Sequence, residues 1–187
     1  EDGFNGIRLG PEPPGNTYLE FQRVLLSLYQ RGIILAINSK NNYDDALKVI
    51  KEHPYMILKE EHFASMRINW NDKVSNMKEI TNELNIGADS MVFFDDDPVN
   101  REYMRLNMPQ VLTVDLPQDP SQYAQTIKKM NEFSVLNITN EDTQRGRMYL
   151  EQRKRSDIEQ SVPDLESFLK HLDLKVLIKN ANEFTIP

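Results

Sequence analysis

Three clusters of polar residues in this sequence carry groups that could handle an oxyanion and a metal ion. The first, Asn38-Ser-Lys-Asn-Asn42, follows the apolar run Ile33-Ile-Leu-Ala-Ile37 and leads straight into a helix-like segment. A hydroxyl, an amine and the free amides of a helix start converge there, which suits phosphate or another oxyanion. Polar residues ahead of a helix serve as ordinary caps more often than as ligands, so that reading stands beside the first. The second cluster, Asp95-Asp96-Asp97, ends another apolar run, Met91-Val-Phe-Phe94. Adjacent carboxylates repel one another, and at a strand end they invite a hard divalent cation with oxygen ligands such as Mg2+, a reading set ahead of a solvated acidic turn. Asp97 is also accounted for as the cap before Pro98, whereas Asp95 and Asp96 have no such account. The third is Lys73, in the first turn of a helix, where the helix dipole disfavours a cation. Phosphate and carboxylates around its ammonium would explain the placement; an exposed lysine there would cost only about a few tenths of a kcal/mol.

The elements that must position these groups alternate. Thr17-Tyr-Leu-Glu20 has capping-box spacing, and Tyr18, Phe21, Val24, Leu25 and Leu28 recur at helical spacing before Gly32 as a stop. The run 33–37 reads as a strand buried on both faces. A helix is expected over 43–51, a short strand at Met56-Ile-Leu58, and a helix opened by Asn71 or Asp72 and closed by Asn85-Ile-Gly87. Strands follow at 91–94 and Val111-Leu-Thr-Val114, with helices opened by Asp97-Pro98 and by Asp119-Pro120, the last running to about Met130. Strands alternating with helices predict an α/β fold, a doubly wound parallel sheet. Ligands in such sheets bind beyond the carboxyl ends of the strands, where all three clusters fall. From Glu141 to Gln160 apolar residues are sparse and opposite charges sit four apart, which reads as a solvated linking helix. Pro163–Leu172 reads as a further helix, and Lys175-Val-Leu-Ile178 as the first strand of a next module. The expected organisation is therefore a domain over 1–140, linking helices over 141–172 and the start of a second domain over 173–187.

Composition narrows the class. The chain has 187 residues, a net charge of −7, and no cysteine. Without cysteine these residues hold no disulfide scaffold, thiolate zinc site or cysteine nucleophile. The acidic balance argues against non-specific binding to nucleic acid. No stretch reads as a membrane span or a secretory signal, so a cytoplasmic protein with no membrane partner is expected. Both ends, Glu1 without a methionine and Ile186-Pro187 just after a strand-like run, read as cuts from a longer polypeptide. Asn137-Ile-Thr139 fits a glycosylation sequon without a secretory context, and His53, His62 and His171 lack metal-ligand spacing.

The order Ser39, Lys73, Asp95-Asp96 is the reverse of that in a response-regulator receiver domain. Many blocks instead resemble FkbH-like proteins, a branch of the haloacid dehalogenase (HAD) superfamily associated with glyceryl transfer and phosphatase chemistry. They are Gly6-Ile-Arg-Leu-Gly10, Pro14-Gly15 with Tyr18 and Phe21-Gln22, Arg31-Gly32, Ser39-Lys-Asn-Asn42, Arg67-Ile-Asn-Trp70 with Asp72-Lys73, Glu83-Leu-Asn-Ile-Gly87 and Phe94-Asp-Asp96. The resemblance implies a HAD-like Rossmannoid fold in which Ser39 contacts the phosphoryl oxygens and Lys73 neutralises phosphate and nucleophile. Asp95 and Asp96 would bind Mg2+, while Lys40, Asn41 and Trp70 would line the substrate site; for Trp70 a core or rim aromatic is an equal reading. It further implies a phosphorylated glyceryl substrate, an acyl carrier protein as acceptor, and an acyltransferase-like second domain. Asn38 stands where many relatives have Cys, and Asn100 where many have Glu. The first HAD motif, an Asp-x-Asp-x-Thr strand with the nucleophile, is absent from these residues; relatives carry it shortly upstream of the position of Glu1. That strand lies between those ending at Ser39 and Asp95, so residues 1–187 alone are expected to leave a gap in the sheet and to lack turnover. Two other readings remain: a small-molecule phosphatase unrelated to glyceryl transfer, and a non-catalytic HAD-like interaction module docking an acidic carrier through Arg145, Arg147, Arg153, Lys154 and Arg155.

Overall fold

A computed structural model describes residue 7 and residues 9–134 and 138–161. The expected helix over 163–172, the strand at 175–178, the second domain, the sequon asparagine and part of the first resemblance block lie outside the described residues. The chain divides into two units, Glu1–Leu150 and Glu151–Pro187. The first is an α/β unit in the order α1 (Gly15–Gln30), β1 (Leu35–Ser39), α2 (Tyr43–Glu52), β2 (Phe63–Ile68), α3 (Lys73–Leu84), β3 (Val92–Phe93), α4 (Pro98–Asn107), β4 (Leu112–Thr113), α5 (Tyr123–Lys128). A sixth helix, α6 (Asn140–Ser161), begins in this unit.

The strands are short and parallel. β1 pairs with β2, placing Ser39 opposite Ile68, and β3 pairs with β4. No ladder joins β1 to β3 among the described residues, so the strands form two separate pairs. Helices hold the pairs together. α3 buries Ile80 and Leu84 with Ala64 of β2 on one side. On the other, Val74 and Met77 join Phe93 of β3, Met104 of α4, Met108 and Val111. Phe93 thus faces α3 and α4, while its neighbours Val92 and Phe94 pack with Val24, Leu28, Ala124 and Ile127 of α1 and α5. That alternation follows from the period of two along a strand, and it covers both faces of β3 with helices.

Three local expectations are corrected. The first strand is not the apolar run 33–37 buried on both faces but Leu35–Ser39, which takes in Asn38 and Ser39 and has no fully buried residue. The second strand is not at Met56–Leu58 but at Phe63–Ile68. The amides of Ile57 and Leu58 are taken by the buried side chain of Gln22, whose Oε1 accepts from them at 2.9 and 3.1 Å. With those donors satisfied by a glutamine, the segment has no ladder to join. The true strand carries Ser65 and Arg67, which break its apolar run. The Ser65 hydroxyl donates to Glu83 at 2.5 Å and Arg67 pairs with Glu79 and Glu83 at 2.8 and 2.9 Å, all carboxylates of α3. The capping box of Thr17 and Glu20 is also absent. α1 starts at Gly15, and the Thr17 hydroxyl donates back to the Pro14 carbonyl at 2.6 Å, while Glu20 pairs with Lys128 of α5 at 2.7 Å.

The stops behave as their residue types require. Gly32 has φ of +90°, and a Cβ there would run into the Asp142 main chain. Asn85 ends α3 in the left-handed region at φ 51°, a conformation asparagine tolerates better than most residues. The segment opened by Asp119-Pro120 is shorter than expected: a 3-10 turn over Pro120–Gln122 precedes α5, which ends at Lys128. Among the described residues no helix is long and apolar enough to cross a membrane.

Candidate functional site

Lys73, from the pair β1–β2, and Asp95, from the pair β3–β4, meet as an ion pair. Lys73 is the first residue of α3, just after β2, and Asp95 lies two residues beyond β3. The ammonium stands 3.2 Å from Asp95 Oδ2, with side chains only 11% and 5% exposed. It also donates to the main-chain oxygen of Asn38, near the end of β1, at 2.5 Å. A cation at a helix N-terminus is opposed by the helix dipole; here a buried carboxylate and a carbonyl offset that cost.

A cluster of asparagines holds this lysine. Asn38 Nδ2 donates to the Lys73 carbonyl at 2.8 Å, so Asn38 grips both the main chain and the ammonium of the same residue. Asn76, fully buried one turn along α3, donates through Nδ2 to Asn38 Oδ1 at 3.1 Å and to Asn69 Oδ1 at 3.0 Å. Asn69 ties back to β1 through its amide, which donates to the Ser39 carbonyl at 3.1 Å. Asn76 Oδ1 is buried without a hydrogen-bond partner. Turning the amide over would set its oxygen against two carbonyl oxygens, so its orientation is fixed by its neighbours.

Asp95 is held from the other side by the start of α4. Its Oδ1 accepts from the Asp97 amide at 2.9 Å and from Asn100 Nδ2 at 3.2 Å. Asp97 is the N-cap of α4, accepting from the Val99 amide at 2.9 Å, and Glu102 turns to Arg105 at 3.6 Å. The asparagine at position 100 therefore does the orienting itself. Asp96 is exposed, and Arg101 NH1 donates to the main-chain oxygens of both Asp95 and Asp96.

The remaining expected residues form a second group. Ser39 ends β1 half-buried and Lys40 is exposed; neither side chain makes a hydrogen bond or ion pair among the described residues. Asn41 Oδ1 accepts from the Asn42 amide at 2.8 Å. Trp70 is neither core nor half-buried: it is 70% exposed, yet its indole N–H donates to Asn42 Oδ1 at 3.0 Å. The structure thus joins Lys73 to Asp95, and Trp70 to the 41–42 turn, and makes no direct side-chain contact between the two groups. A cavity of about 350 Å3 between α1 and α5, with Arg23, Arg31 and Lys128 among its lining residues, includes none of the expected site residues.

Asp72, the N-cap of α3, sits one residue before Lys73. It accepts from the Ser75 hydroxyl at 2.6 Å and from the Ser75 amide at 2.8 Å, and these bonds hold its carboxyl below the ordinary range. A depressed folded-state pKa contributes stability above the unfolded value near 3.8, lost as pH falls through the folded value. Asp72→Ala is therefore expected to cost about 1 kcal/mol near neutral pH. That difference from the parent should shrink steadily below the ordinary carboxylate range. Urea midpoints at neutral and acidic pH check this, and a pH-independent difference would refute it.

The chain is similar to a solved structure of a phosphatase domain. This is the crystal structure of the N-terminal part of the protein BF1531 from Bacteroides fragilis, containing a phosphatase domain complexed with Mg, with 38% sequence identity and a TM-score of 0.70. The match covers 73% of this chain and 37% of that one, so it takes in little over a third of the solved chain. No family model matches the sequence, and no curated protein does.

The sequence singled out Lys73 and Asp95, which the structure pairs, but not the residues that hold them. The available signal was Asn76, a polar residue among Val74, Met77 and Ile80 on a buried helix face, since a buried amide must be bonded to something. Arg101 gave no signal, because an arginine on a helix reads as surface.

Proposed function

We propose that this chain carries the phosphate-handling half of a Mg2+-dependent phosphatase centre of HAD type, acting on a phosphorylated small molecule. The buried Lys73–Asp95 pair beyond the strand ends carries this reading, and the likeness to a Mg-complexed phosphatase domain supports it. In phosphoryl transfer the protein chiefly positions groups and neutralises charge. Lys73 would supply the cation next to the transferred phosphoryl group. Ser39 with the Lys40 and Asn41 turn would bind its oxygens at the start of α2, and Trp70 would flank the organic part.

The residues present fit Mg2+ in their donor chemistry. Among the described residues no three acidic or histidine side chains are arranged to hold an ion. Mg2+ needs fewer, since it commonly takes one or two carboxylates and fills its shell with water and substrate phosphate. Asp95 and Asp96 would be those carboxylates, and the ion would neutralise charge on the phosphoryl oxygens. The nucleophile is expected from a further strand outside the described residues, placed between β1 and β3. One observation favours that position: no ladder joins β1 to β3 among the described residues. The glyceryl substrate, the carrier protein and the second domain belong to the same reading through the resemblance to FkbH-like proteins alone.

Phosphate release from acyl and sugar phosphates by the full-length protein tests the proposal. Release with Mg2+ that stops on adding EDTA is expected. A folded protein that binds Mg2+ and releases no phosphate from any compound would overturn it, and would favour the non-catalytic module.

A further inference from the structure

We propose that Arg101 is a positioning residue that fixes the turn at Asp95-Asp96 for a divalent cation, an inference that rests on the metal-dependent reading above. A single nitrogen, NH1, donates to two consecutive carbonyls, those of Asp95 at 2.8 Å and Asp96 at 2.9 Å. The side chain is 12% exposed, so the bond to the Asp95 carbonyl is partly shielded from water, while that to Asp96 lies at the surface. Its Nε is buried without a hydrogen-bond partner and faces Asp115 Oδ1 at 3.7 Å. The main chain of Arg101 holds the same turn, since its amide donates to the Asp97 carbonyl at 3.2 Å.

The turn needs such a clamp. Three consecutive carboxylates repel one another; Lys73, the Asp97 amide and Asn100 hold the Asp95 carboxylate, and Arg101 adds a hold on the main-chain carbonyls themselves. Fixing the carbonyls of Asp95 and Asp96 fixes the direction in which each side chain leaves the backbone. Asp95 then points inward to Lys73 while Asp96 stays in water, and neither carboxylate is used up by the clamp. A lysine could not replace it, because a guanidinium offers a planar set of donors and an ammonium is a point charge on a flexible stem. Groups that orient metal ligands in this way typically matter about 10–100-fold in metal affinity.

Charge and geometry make opposite predictions at this position. A positive guanidinium beside a cation site repels Mg2+, so a role through charge alone means that removing it tightens binding. A role through geometry means that removing it loosens binding. The experiment is titration of the protein with Mg2+ alone, without substrate, by calorimetry on the parent, Arg101→Gln and Arg101→Lys, with thermal unfolding of each recorded beside it. Arg101→Gln is expected to bind Mg2+ about 10-fold more weakly or worse, and Arg101→Lys at least about 3-fold more weakly, no better than half restored on a logarithmic scale. Equal or tighter binding by Arg101→Gln, or parental binding by Arg101→Lys, would overturn the proposal while leaving the phosphatase reading intact. Should Arg101→Gln fail to fold, Arg101→Lys, which keeps the charge, carries the test. A folded parent that binds no Mg2+ would remove the metal-dependent reading and this inference with it.

Discussion

Lys73→Met is expected to cost roughly 3–5 kcal/mol of stability, and Asp95→Asn a similar amount, because each leaves a charge buried without its partner. The side chains are 11% and 5% exposed, so water is poorly placed to take over. Lys73→Met also strips a donor from the Asn38 carbonyl. The double variant Lys73→Met/Asp95→Asn should recover most of the loss, since replacing both members of a buried pair by neutral groups of similar size is often close to neutral. Asn at position 95 can still accept from the Asp97 amide that now bonds Oδ1. Urea unfolding of the four proteins measures this as a double-mutant cycle. Single losses that simply add in the double variant would show that the pair is not coupled, and would sink the account of the site. Phosphate release should behave differently from stability: all three variants are expected to lose at least about 10²-fold, the scale on which removing one charge-stabilising donor acts. A double variant that is stable and inactive would separate what the pair does for folding from what it does for chemistry.

The legible parts of the fold are those in which one short stretch of chain carries its own signal. The cap at Asp97 before Pro98 and the stops at Gly32 and Asn85 depend on neighbouring residues, and the structure has them where the sequence put them, whereas the first strand lies two residues later than its apolar run, at Leu35–Ser39. The alternation of helix and strand survives even where one strand was misplaced. β2 was hidden because its polar residues are satisfied by α3: Ser65 and Arg67 look unsuited to a buried strand until Glu79 and Glu83 are brought beside them. Met56–Leu58 looked like a strand because nothing local reveals that Gln22, 35 and 36 positions earlier, takes its amides. The site divides the same way. Lys73 and Asp95 stand at element boundaries and could be read, whereas the asparagines that hold Lys73 join residues 35 and 38 positions apart. Trp70 shows the limit from the other side: an exposed indole anchored by one hydrogen bond has no signature in hydrophobic pattern at all.

Asn76→Ala is expected to destabilise the protein by about 2–3 kcal/mol, because it strips the donor from the half-buried Asn38 and Asn69 oxygens and opens a small void where a fully buried side chain stood. Its effect should reach beyond stability. Asn38 grips Lys73 at both the carbonyl and the ammonium, and Asn76 is what holds the Asn38 amide in the orientation that allows this. Asn76→Asp tests the polarity of that bond at nearly constant volume. It sets a carboxylate against the Asn38 and Asn69 oxygens that now accept from Nδ2, so at neutral pH it should be at least as damaging as Asn76→Ala. Burial and repulsion both favour the protonated form of the introduced carboxyl, which raises its folded-state pKa above the unfolded value of about 3.9. A raised value means stability present below the unfolded pKa and lost as pH rises through the folded one. The deficit of Asn76→Asp relative to the parent should therefore narrow on acidification from neutral pH toward 4, while that of Asn76→Ala stays nearly constant. Urea midpoints across that range decide the matter. If the two variants track each other at every pH, Asn76 is filling space, and the hydrogen-bonded hold on Lys73 has no energetic weight.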